Sequence, residues 1–162
     1  MAVQNPFQHA FELLRYVIEI CPDNVWQETS GGWPVWQQIC HAVSALDFFV
    51  GAPGNTPPPL PVPPAVSGLE SQGTKVLSRE ILLKLTAAAK LRVEAYISTL
   101  TDEQLPKKNE GFSLRMGMEV SHGATLACWR HTFYIIWAAA MRLCATMDSR
   151  VFFDVNAGTR KQ

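Results

Sequence analysis

"PVWQQICHAVSALDFFVGAPGNTPPPLPVPPAVSG", Pro34 to Gly68, joins two opposite kinds of chain, and their junction decides the fold class. In the first half, Val35, Ile39, Ala42, Val43, Leu46 and Phe49 recur at helical spacing and form one apolar stripe. Pro34 is tolerated in a first helical turn, and Gly51 ends the run. The second half carries seven prolines from Pro53 to Pro64. Proline lacks the N–H that a helix or central strand needs, so this half is predicted to lie extended in polyproline II geometry. Residues 51–74 then form a stiff crossover between helices. The P-x-x-P spacing inside it is too common to mark a docking site.

Further helices flank this pair. Helix 1 is predicted from Pro6 to Cys21, with Asn5 as N-cap and Phe7, Phe11, Leu14, Ile18 and Cys21 on one face. Pro22 stops it, and "DNVWQETSGGW" follows as a turn-rich loop. Trp26, Trp33 and Trp36 are expected to cover one end of the protein. Helix 3 is predicted from Ser78, a good N-cap, to about Leu100. Leu77 can staple onto Leu82, and Ile81, Leu85, Ala88 and Ala95 are the expected core face. Thr101 with Gln104 can cap a short turn, and "PKKNEGFS" is expected as exposed loop. Helix 4 is predicted to start between Leu114 and Glu119 and to reach Met147. No β pattern and no repeat appears. The expectation is an all-α protein: a four-helix bundle over residues 1–147 with a Pro-rich crossover between helices 2 and 3, then a tail at 148–162.

Composition narrows the function. Hydrophobic residues make up 48% and charged residues 17%, which suits a folded domain. Lys+Arg and Asp+Glu are both 14, so the formal charge is zero. Nucleic-acid binding needs clustered positive charge and is not expected. Zero net charge favours self-association, so a homodimer is expected as a partner state. The longest apolar run, Thr132 to Met141, is shorter than the about 20 residues of a membrane span. No secretory signal opens the chain. Cys21, Cys40, Cys128 and Cys144 form no C-x-x-C pair and suit buried thiols in a cytoplasmic protein.

Four histidines carry the candidate chemistry: His9, His41, His122 and His131. His41 lies at the edge of the helix 2 stripe, and His131 enters the apolar part of helix 4. Facing imidazoles in a bundle core can ligate zinc, nickel or iron. Asp47 lies six residues after His41, roughly 120° around the helix, and is a poor partner for it. His122 and Glu119 are the remaining candidates for a third ligand. Trp129, Phe133, Tyr134 and Trp137 suit core packing, and Arg130 with Arg142 can flank an anion or pair with carboxylates.

"PVWQQICHAVSALDFFVG", with Trp36, His41, Asp47 and Phe48-Phe49, resembles helix 2 of the DinB-like family of damage-inducible four-helix-bundle proteins. "LSREILLKLTAAAKLRVEAYISTLTDEQL" is similar to that family's third helix, and "WRHTFYIIWAAAMRL" to its last. The resemblance implies a metal site with one histidine on helix 2 and a pair four residues apart on the last helix. Carried over, His41 and His131 are metal ligands, and the third ligand falls at Ile135 or, in the other register, Ala127. Neither aliphatic side chain can coordinate. The implied cofactor is none, or a weakly held divalent metal such as zinc, nickel or iron. The expected function is ligand binding or assembly around a degenerate metal site. The rival is a metal-dependent hydrolase or thiol S-transferase using His41 and His131. No catalytic residue is assigned.

Overall fold

The computed structural model describes residues 4–30, 32–50 and 58–128. The body of the predicted last helix, with Arg130, His131, Ile135 and Arg142, lies outside the described residues, as do the tail and residues 51–57 of the crossover. The described chain is predominantly helical. Its long helices are α1 (Gln4–Ile20), α3 (Val35–Val50) and α5 (Arg79–Ser98). Between them lie α2 (Asp23–Trp26), a hairpin of β1 (Thr29–Ser30) with β2 (Trp33–Pro34), and α4 (Pro64–Ser67). After them come α6 (Glu110–Met116) and a helical segment, α7, at 122–128.

α1 starts two residues before the predicted Pro6, so Asn5 is inside the helix rather than its cap. Pro6 still falls in the first turn, where N–H groups have no intrahelical partner. The predicted stripe of Phe7, Phe11, Leu14, Ile18 and Cys21 is buried throughout. On α3 the stripe from Val35 to Leu46 is also buried, with Phe49 half-buried. α5 packs against both α1 and α3. Its Ser78 cap accepts from the Ile81 N–H at 3.3 Å, as predicted.

The face of α5 differs by one position from the expected one. Leu82, Thr86, Ala89, Val93 and Ile97 are buried, whereas Ile81 is 37% exposed and Ala95 is exposed. Leucines and alanines surround this helix on nearly all sides, so periodicity alone does not define its inner face. Packing against α1 and α3 does.

The crossover is also less extended than expected. Pro63 and Pro64 open a single helical turn, α4, because Pro64 sits at a first helical position that needs no N–H. Val62, Val66 and Leu77 bury themselves in the same core as α1, α3 and α5. "PKKNEGFS" is not an exposed loop. Asn109 caps α6 by accepting from the Phe112 N–H at 3.1 Å, and Phe112 is buried with its ring 5.0 Å from that of Phe49. Gly117, at φ 65°, ends α6 in the left-handed region that glycine favours. The next helix therefore starts at 122, beyond the expected window of Leu114 to Glu119.

Candidate functional site

His41 sits on α3, half-buried, where α3 packs against α4. Its Nδ1 lies 2.8 Å from the Ser67 carbonyl oxygen. A carbonyl can only accept, so Nδ1 carries the proton and the neutral ring keeps its lone pair at Nε2. One turn earlier, Gln37 is fully buried and bound on both ends of its amide. Its Nε2 donates to the carbonyls of Val66 at 2.9 Å and Ser71 at 2.7 Å, and its Oε1 accepts from the Gly73 N–H at 3.0 Å. Trp26 adds a fourth tie, from Nε1 to the Leu77 carbonyl at 2.9 Å. The end of the crossover is thus fastened to α2 and α3 around His41.

Asp47 is committed elsewhere, as its place on the helix suggests. Its carboxylate is buried and receives Arg92 Nε and Nη2 from α5, each at 2.6 Å. It braces two helices and is not positioned as a partner for His41.

His122 joins a different constellation, at the start of α7. Its Nδ1 lies 2.7 Å from the Tyr96 hydroxyl. Asn109 Nδ2 donates to that hydroxyl at 3.0 Å and to Thr125 Oγ1 at 3.0 Å. The phenol oxygen accepts from Asn109 and shares one hydrogen with His122 Nδ1, and that hydrogen can sit on either atom. Burial pushes the Tyr96 hydroxyl up to about 12, against hydrogen bonds from Thr125 and Asn109 that lower it. Burial also lowers the His122 imidazole below its ordinary value.

The other candidates are dispersed. Glu119 is a largely exposed side chain 3.9 Å from Lys108 Nζ, and His9 is exposed on α1. Ala127 is exposed on α7. Among the described residues, no group of three His, Cys, Asp or Glu side chains is close enough to hold a metal ion. His41 fits one position of a metal site, with a carbonyl behind its Nδ1 as such ligands usually have. The described residues add no companion, so no reaction step is derived through a metal. Burial raises the Cys21 and Cys40 thiols to about 11, which makes both poor nucleophiles near neutral pH.

A groove of about 530 Å³ runs between α1 and α5. Phe7, Phe11, Leu91 and Ile97 give it apolar walls, and Gln8, Glu94 and Ser98 supply polar groups. Leu91 is 68% exposed.

Sequence reasoning missed Gln37, Tyr96 and Asn109. The available signal was a glutamine pair, Gln37-Gln38, inside an otherwise apolar helical run. A buried amide must find partners.

The long helices, the crossover fastened over His41 and the Asp47–Arg92 pair belong to a predominantly α-helical protein. The chain belongs to the DinB superfamily, whose family model matches residues 7–120, more than half of its length. No curated protein and no solved structure matches it.

Proposed function

We propose that this DinB-superfamily chain works by binding a small, largely apolar ligand rather than by metal-dependent turnover. The α1–α5 groove carries this reading, with aromatic and aliphatic walls and a few polar groups in about 530 Å³. The sequence supports its second half. His41 and His131 are retained, but Ile135 or Ala127 stands where the resemblance places the third ligand. Buried free thiols at Cys21 and Cys40 support a reducing, cytoplasmic setting.

The test is a fluorescence titration with anilinonaphthalene sulfonate, an apolar anionic probe. Saturable binding is expected in the wild type, lost in Leu91→Glu and kept in Leu114→Glu, which alters an equally exposed leucine on α6 outside the groove. Equal binding in all three proteins would sink the assignment. Assembly is the related role, with a second copy covering the Leu91 flank. A concentration-dependent dimer by light scattering that Leu91→Glu abolishes would replace the small ligand with that copy.

A second reading, a metal-dependent hydrolase or thiol S-transferase using His41 and His131, is favoured by one observation. His41 Nδ1 is engaged by a backbone carbonyl, which leaves Nε2 basic.

A further inference from the structure

The imidazole of His41 is held by a segment that other residues hold in turn. Ser67 reaches His41 through a backbone carbonyl, in a turn that Ser67 Oγ closes by donating to the Pro64 carbonyl at 3.1 Å. Gln37 seats that turn on α3. It is one turn away from His41 on the same helix and grips the segment on both sides of Ser67, at Val66 and at Ser71 and Gly73. Close packing seals the arrangement. A Cβ built on Gly73 would lie 2.5 Å from the Trp36 ring and 2.9 Å from Val66 Cγ1, so the segment is seated with no spare room.

We propose that Gln37 is a positioning residue for His41. By locking residues 66–73 it aims the Ser67 carbonyl at Nδ1 and holds the neutral ring in its Nδ1–H form. Free imidazole side chains favour the opposite, Nε2–H form, so the lock reverses the intrinsic preference. The result is a basic Nε2, the nitrogen that accepts a proton from a bound ligand or binds a divalent cation. This inference stands apart from the α1–α5 groove and holds whether or not that groove takes a ligand.

The chemistry of Gln37 makes the requirement specific. The two carbonyls need donors and the Gly73 N–H needs an acceptor, and one amide satisfies all three. Glutamate is nearly isosteric but supplies acceptors only when ionised and a single donor when protonated. It keeps the Gly73 contact and loses at least one of the two donations.

The test is long-range ¹H–¹⁵N correlation NMR of the full chain, which reports which ring nitrogen of each histidine is protonated. In the wild type, His41 should show a protonated Nδ1 and a bare Nε2. In Gln37→Glu the His41 pattern should move to the Nε2–H form while His122 keeps its own. Gly73→Ala provides a second route, since its methyl displaces the segment without changing the glutamine. His41 in the Nε2–H form in the wild type would overturn the proposal, and that reading needs no variant to fold. An unchanged Nδ1–H form in folded Gln37→Glu would overturn it as well.

Discussion

Both carboxylate oxygens of Asp47 receive a hydrogen bond from the guanidinium of Arg92, each at 2.6 Å, and this fork ties α3 to α5. The pair is asymmetric, with Asp47 at 5% side-chain exposure and Arg92 at 35%. Removing the arginine strands a buried carboxylate, whereas removing both charges strands nothing. Arg92→Ala is expected to destabilise the fold by about 3 kcal/mol. The double variant Asp47→Leu/Arg92→Leu should recover much of that loss. Urea unfolding of the three proteins checks it, and a loss below about 0.5 kcal/mol in Arg92→Ala would mean that the fork is dispensable.

Gly73 is needed for space. Alanine there meets the Trp36 ring, which is 1% exposed and has nowhere to move. Gly73→Ala should cost about 1–3 kcal/mol through overpacking. The same change at Gly68, where a Cβ would be 3.1 Å from the Pro64 carbonyl oxygen, should cost less. Thermal melts of both variants would show whether this ranking holds.

His122 gives stability a pH dependence. Its folded-state value is lowered by burial, so the unfolded chain binds its proton more readily. That contribution is fully present above the ordinary histidine value of about 6.5 and is lost as pH falls below it toward the lower folded value. Tyr96 acts at the other end. Its hydroxyl is raised to about 12, so its contribution is present below the ordinary value of about 10 and fades as pH climbs between the two. His122→Gln should flatten the acid limb of the urea midpoint against pH. Parallel curves for the two proteins at acid pH would contradict this.

Much of the fold is legible in the sequence where apolar residues repeat against a polar background. α1 shows its inner face because Glu12, Arg15 and Glu19 interrupt it, whereas α3 buries Gln37, Gln38 and Asp47 along with its apolar stripe, so the stripe marks only part of its inner surface. α5 does not show its inner face, since its alanines and leucines leave several registers equally apolar and tertiary packing selects one. α6 is hidden for a different reason. It is seven residues long, and its existence depends on the Asn109 cap and on Phe112 reaching Phe48 and Phe49, contacts far apart in sequence. The candidate site is less legible than the fold. His41 stands out as a ligand type, but its state is set by Ser67, 26 residues away. Gln37 binds carbonyls 29 and 34 residues away, which no local pattern announces.

The proposed function implies a chain that works without a metal centre. Metal analysis by mass spectrometry on tag-free protein tests it most directly, beside His41→Ala and His131→Ala variants, before and after metal is added back. The account predicts far less than one zinc, nickel or iron per chain, with no difference between the wild type and either variant. A near-stoichiometric metal that disappears in both variants would contradict it, and would make His41 and His131 ligands of a working site despite Ile135 and Ala127.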